Sequence, residues 1–130
     1  MNTLKSLSSK AVLIADDDIE QCEELASFLR KKGYFVFTAH DGFTALGMIK
    51  SIKPVIVLLD IHMPSMSGDR VSKIATSLDF RTTIILMSGY AELIYDANHS
   101  KTGAFAVLDK PLPLKTLDRF LSSLNGGSAP

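Results

Sequence analysis

Short apolar runs alternate along this chain with stretches in which apolar residues return every third or fourth position. Residues Ala11–Ala15, 34–38, 55–59, 83–87 and 105–108 have the length and composition of strands. The first, the third and most of the fourth carry no polar alternation, as expected of strands covered on both faces in a parallel sheet. After Asp18 the period changes. Ile19, Cys22, Leu25, Ala26 and Leu29 fall on one helical face, and Asp18 with Gln21 has the form of a capping box. Arg30, Lys31 and Lys32 suit the negative end of that helix, and Gly33 supplies its stop. Residues 42–51 predict a weaker helix. Val71, Ile74, Ala75 and Leu78 predict another by their i, i+3, i+4, i+7 spacing. Residues 91–102 are the least patterned helix, polar around Asn98, His99 and Ser100. Pro113 can open the last one, whose stripe is Leu114, Leu117, Leu121 and Leu124.

Five successive βα units predict an α/β fold, a parallel sheet with helices on both faces. The 130 residues suit one domain, placed at 10–125 between flexible tails at 1–9 and 126–130. Fourteen Lys and Arg balance fourteen Asp and Glu, which argues against nucleic acid or a membrane surface as the main partner. Cys22 is the single cysteine, so an internal disulfide and a cysteine-based zinc site are excluded. No apolar run approaches membrane-spanning length and the N-terminus lacks a secretory core, so the expected location is the cytoplasm.

In such folds ligands bind at the carboxyl ends of the strands. There the first strand ends in Asp16-Asp17-Asp18, the third in Asp60, the fourth in Ser88-Gly89 and the fifth in Asp109-Lys110-Pro111. Asp16, Asp17 and Asp60 together would repel one another unless a cation joins them. Oxygen ligands of this kind suit Mg²⁺, with Mn²⁺ as a substitute. Lys110 offers a cation to a phosphoryl oxygen, Ser88 offers a hydroxyl, and Gly89 leaves space beside it. A carboxylate can itself be the nucleophile and form an aspartyl-phosphate. The set points to phosphoryl transfer onto an Asp, with the cations neutralising developing charge.

The segments Val12-Leu13-Ile14-Ala15-Asp16-Asp17-Asp18, Val57-Leu58-Leu59-Asp60-Ile61-His62-Met63-Pro64-Ser65-Met66-Ser67-Gly68, Ile85-Leu86-Met87-Ser88-Gly89-Tyr90 and Leu108-Asp109-Lys110-Pro111 carry a resemblance. In this order they resemble the receiver domain of two-component response regulators, over about residues 10–125. The resemblance implies a flavodoxin-like three-layer sandwich with a five-stranded sheet of order 2-1-3-4-5. It implies Asp60 as phosphoacceptor, and Asp16, Asp17, Asp60 and the backbone carbonyl of His62 as the Mg²⁺ site, with Asp17 bound directly and Asp16 mainly through water. Ser88 and Lys110 would hold the phosphoryl group, and Lys110-Pro111 would be a cis peptide. The donor would be a histidine kinase or a His-containing phosphotransfer protein. A downstream protein target would read the face of the fourth helix, fifth strand and fifth helix. The chain would be a signalling module, catalysing only its own phosphorylation and dephosphorylation.

Some positions depart from the family's habit. Val107 stands where Tyr or Phe is usual, and Phe105, by strand alternation, would share its face. His62 and Tyr90 occupy positions that flank the phosphoryl group and would shield or admit hydrolytic water. Elsewhere Asp18 reads as a helix cap, Cys22 as core, His40 and His99 as solvent-facing, and the Arg30-Lys31-Lys32 run as a solvated helix end. The alternative is a phosphate-independent interaction domain on the same fold. A haloacid-dehalogenase-like hydrolase would need its Asp pair at i and i+2 after the first strand, and a P-loop motif is absent.

Overall fold

The computed structural model describes residues 10–78 and 81–124. The expected tails at 1–9 and 126–130 lie outside the described residues. In chain order the elements are β1 (Ala11–Ala15), α1 (Ile19–Lys31), β2 (Phe35–Ala39), α2 (Gly42–Ile52), β3 (Ile56–Asp60), α3 (Gly68–Ser77), β4 (Thr83–Ser88), α4 (Ala91–Asn98), β5 (Ala106–Asp109) and α5 (Leu114–Leu124). All strands run parallel, in the order β2-β1-β3-β4-β5.

Strand alternation divides the core in two. Leu13, Val57, Leu59 and Leu86 point to the side shared with Leu46 and Ile49 of α2 and Val71 of α3. Val12, Ile14, Ile56, Leu58 and Ile85 point to the other, against Cys22, Ala26 and Leu29 of α1 and Leu117 and Leu121 of α5. Every residue of β1 and β3 is buried, which is why neither run shows polar alternation. Each fully buried Leu, Ile or Val contributes about 1.5–3 kcal/mol.

The register decides where the chemistry falls. Ala15 pairs with Leu59, Asp60 with Met87 and Ser88 with Asp109. Asp16, Asp60, Ser88 and Lys110 therefore reach one edge of the sheet together.

Several expected boundaries and faces shift. β2, β3 and β5 each start and end one residue later than the apolar runs do, and β4 extends to Ser88. α4 stops at Asn98 rather than 102, where His99 caps it, its N–H donating to Tyr95 and Asp96 carbonyls. Ile19 is 61% exposed and Leu78 48%, so each lies outside the stripe assigned to it. Both sit at helix ends, where the apolar face runs past the sheet. The Asp18–Gln21 capping box forms by half. The Gln21 amide donates to Asp18 Oδ1, but the Asp18 amide donates to Asp16 Oδ1 instead of to Gln21. Gly33 ends α1 at φ +96, as its position suggests. No helix among the described residues is long and apolar enough to cross a membrane.

Candidate functional site

The site begins with two buried carboxylates. Asp16 and Asp60 are 2% and 6% exposed, and each follows or ends an all-apolar strand. They are held in the same way. Oδ1 of each accepts from an amide two residues on, Asp18 N for Asp16 at 2.9 Å and His62 N for Asp60 at 3.1 Å. Oδ2 of each accepts from Lys110 Nζ, at 2.7 Å and 2.8 Å. One ammonium thus bridges two carboxylates that would otherwise repel. Lys110 stands just after β5, behind the cis Lys110-Pro111 peptide that the resemblance implied.

The electrostatics follow from burial. Desolvation pushes the Asp60 carboxyl up to about 6; Lys110 opposes the shift and Asp16 adds to it. Burial disfavours the Lys110 ammonium, yet its bonds to Asp16 and Asp60 prevail and raise its pKa.

Asp17 completes an acidic group. Oxygens of Asp16, Asp17 and Asp60 lie within 4.8 Å of one another, with Asp17 exposed and the other two buried. Carboxylate-only donors, one of them open to solvent, fit a hard cation that keeps part of its water shell, which is the habit of Mg²⁺. The three carboxylates outnumber the single ammonium among them, so a divalent ion also fits the charge.

These residues line one cleft of about 810 Å³, together with His62, Gly89, Tyr90 and Pro111. The His62 and Tyr90 rings form a tilted pair, with centroids 6.0 Å apart and planes inclined at 58°. Apart from its chain neighbours, no heavy atom lies within 4 Å of where a Gly89 Cβ would stand, so that position is open.

Three expected site residues remain to be placed. Ser88 is fully buried at the end of β4, next to Gly89 of the cleft lining; Oγ accepts from the Tyr90 amide at 2.9 Å, which leaves the hydroxyl proton free to donate. Val107 and Phe105 are outside the cleft, on a separate hollow of about 410 Å³ beside α4. Nor do they share a face. Val107 packs on the core cluster that also holds Leu93 and Ala97 of α4, whereas the Phe105 ring stacks on Phe120 of α5 at 5.3 Å. The chain bends at Phe105, so strand alternation does not extend to it.

Among the other histidines, His99 is exposed as expected. His40 is half-buried, with Nδ1 2.9 Å from the Asp16 carbonyl, so it supports the acidic loop instead of facing solvent. Sequence reasoning also missed Asp41, which caps α2 through the Thr44 amide. The Asp41-Gly42 pair before a helical stretch was a legible signal for it.

Comparison with known proteins agrees with this geometry. A profile of the response regulator receiver domain matches residues 12–122. The chain is 36% identical over 107 residues to the regulatory protein AtoC of Escherichia coli (strain K12), covering 82% of this chain and 23% of that protein. It is 30% identical over 108 residues to sporulation initiation phosphotransferase F of Bacillus subtilis (strain 168), covering 83% of this chain and 87% of that one. The chain therefore spans about a quarter of the first relative but most of the second. Among solved structures, the response regulator TrrA of Thermotoga maritima in complex with Mg²⁺-BeF superposes with a TM-score of 0.78 at 30% identity, over 88% of this chain and 98% of that one. With its 2-1-3-4-5 sheet, its acidic cleft and this profile match, the chain belongs to the response regulator receiver domain family, the phosphoacceptor module of two-component signalling.

Proposed function

We propose that Asp60 is the phosphoacceptor and that the donor is a phosphohistidine on a histidine kinase or a His-containing phosphotransfer protein. The observation that carries this reading is the Lys110 ammonium held between the Asp16 and Asp60 carboxylates in an open cleft. An Asp60 oxygen attacks phosphorus; the O–P bond forms, the P–N bond breaks, and the electron pair leaves on the imidazole nitrogen, which is then protonated. Asp60 must be ionised to attack, and Lys110 favours that form against the burial that opposes it. As charge moves to the phosphoryl oxygens, Lys110 exchanges a carboxylate for one of them, and the free Ser88 proton donates to another.

Asp16, Asp17, Asp60 and the His62 carbonyl would hold Mg²⁺, with Mn²⁺ able to replace it. The ion would supply charge neutralisation at the phosphoryl oxygens. His62 and Tyr90 flank the entrance and set the access of hydrolytic water, so they tune how long the phosphoryl group lasts. Gly89 leaves the group room. Val107 and Phe105, lying beside α4, affect the face that a downstream protein reads, not the chemistry. In this reading residues 10–125 form the domain. It works in the cytoplasm and turns over only its own phosphorylation and dephosphorylation.

The test is intact-protein mass after incubation with acetyl phosphate, with and without Mg²⁺. The expected result is one Mg²⁺-dependent phosphoryl adduct on wild type and none on Asp60→Asn. An adduct of equal stoichiometry on Asp60→Asn would remove Asp60 from its role. A folded wild type that takes no label from acetyl phosphate or from a kinase would leave a phosphate-independent binding module.

A further inference from the structure

The loop of residues 61–67 follows Asp60 directly and is pinned at both roots. At one root the Ile61 amide donates to the Met87 carbonyl at 2.9 Å. At the other the Gly68 amide donates to the Ile61 carbonyl at 2.8 Å, closing the loop on itself. His62, next to the first root, donates its amide to Asp60 Oδ1. The tip of the loop reaches a different element, the start of α2. There the Gly42 amide donates to the Pro64 carbonyl at 3.1 Å, and Gly42 lies so close to Met66 that a Cβ would collide with the Met66 carbonyl.

Ser65 makes the remaining ties. Its hydroxyl donates to Asp41 Oδ1 and accepts from the Phe43 amide, both at 3.1 Å. To do so Ser65 takes φ +65, a conformation that costs a non-glycine residue free energy. Asp41 spreads its acceptors accordingly. Oδ1 serves both the Thr44 amide and Ser65, and Oδ2 accepts from the Thr44 hydroxyl at 2.8 Å. A helix cap needs only the Thr44 amide. The bonds to Ser65 add nothing to the cap and everything to the loop.

We propose that Asp41 and Ser65 form a latch between α2 and the loop, and that both are positioning residues for the phosphoacceptor site. By holding the tip, the latch holds the His62 backbone, and so the carbonyl and the Asp60 rotamer, in the arrangement that takes Mg²⁺. This rests on the reading that Asp60 and the His62 carbonyl are Mg²⁺ ligands.

The test is Mg²⁺ affinity of the full chain by calorimetry, with denaturant midpoints measured beside it. Wild type is expected to bind Mg²⁺ and Asp17→Ala to lose it. Ser65→Ala and Asp41→Ala are expected to weaken Mg²⁺ about tenfold, the low end of what orienting groups behind metal ligands contribute. Ser65→Gly relieves the positive φ and removes the hydroxyl, so it should weaken Mg²⁺ without lowering the midpoint. Asp41→Asn keeps Oδ1 for Thr44 and Ser65 and offers its amide to the Thr44 hydroxyl, so it should restore wild-type affinity. Thr44→Ala, whose lost bond stays within α2, should lower the midpoint and leave Mg²⁺ affinity unchanged. If the Ser65 and Asp41→Ala variants bind Mg²⁺ as wild type does, the pair is only a helix cap and the latch is refuted. If wild type binds no Mg²⁺, the functional reading itself fails and the latch with it; unchanged variants beside a binding wild type refute the latch alone.

Discussion

Lys110 and Asp60, 50 residues apart in sequence, meet at 2.8 Å because parallel strand pairing ends β3 and β5 at the same edge of the sheet. The same ammonium touches Asp16 at 2.7 Å. That one ammonium balances two buried carboxylates.

Replacing Lys110 by Met keeps most of the volume and removes the charge. Two buried carboxylates then face each other without their cation, a change expected to cost about 1–3 kcal/mol of stability near neutral pH. The Asp60 titration should move above its position near 6, because the group that lowers it is gone. Carboxyl chemical shifts followed through a pH titration check this. Mg²⁺ should still bind, while the phosphoryl adduct should form poorly or decay faster.

Metal-free stability should fall as pH rises from about 4 to above 6. The sign follows from Asp60, whose folded value near 6 lies above its ordinary 3.8. Between those values the folded state binds the extra proton, so folding is favoured below 4 and that advantage disappears as pH passes 6. The shift corresponds to about 1–3 kcal/mol. Denaturant midpoints in EDTA across pH 4–8 measure it, and Asp60→Asn should flatten the slope. Mg²⁺ competes with that proton, so its affinity should drop as pH falls below about 6. A wild-type midpoint that does not change over this range would contradict the assignment.

Gly68 packs against the backbone at Asp60 so closely that a Cβ would overlap the Asp60 carbonyl. Backbone cannot yield as a flexible side chain can. Gly68→Ala should therefore destabilise the fold by about 2–3 kcal/mol and weaken Mg²⁺ binding, in contrast to Gly47→Ala, where a Cβ would meet no atom outside its own stretch of helix within 4 Å. Gly47→Ala within α2 should be neutral or slightly stabilising. Thermal unfolding of the two variants side by side checks the contrast.

Cys22 is 1% exposed on the inner face of α1, and burial pushes its thiol up to about 12. It should not react with a thiol-specific disulfide reagent in the native protein and should react at once in denaturant. Rapid labelling under native conditions would place Cys22 elsewhere than in the core.

Much of this protein was legible without coordinates. Three strands free of polar alternation announced a sheet buried on both faces, because a parallel strand between helix layers has no solvent side. The acidic, hydroxyl and lysine positions at four strand ends announced one site, because parallel βα units bring all carboxyl ends to the same edge. Asp18 as a cap and Gly33 as a stop were local matters, decided within one helical turn.

What the sequence left open depended on distance in space. Ile19 and Leu78 have helical spacing, but only the sheet's extent decides which end of a helix overhangs it. Phe105 obeys strand period on paper, yet the chain bends there and its ring turns to Phe120. Ser88 ends β4 at the site, as its position suggests, but the Tyr90 amide that its oxygen accepts from is brought there only by the folded loop. The Asp41–Ser65 contact joins residues 24 apart through loops whose shape no periodicity encodes. Periodicity and capping are properties of a few consecutive residues, so the sequence alone carries them. Which side chains meet across the sheet's edge is settled by register and close packing, and only the folded chain brings those together.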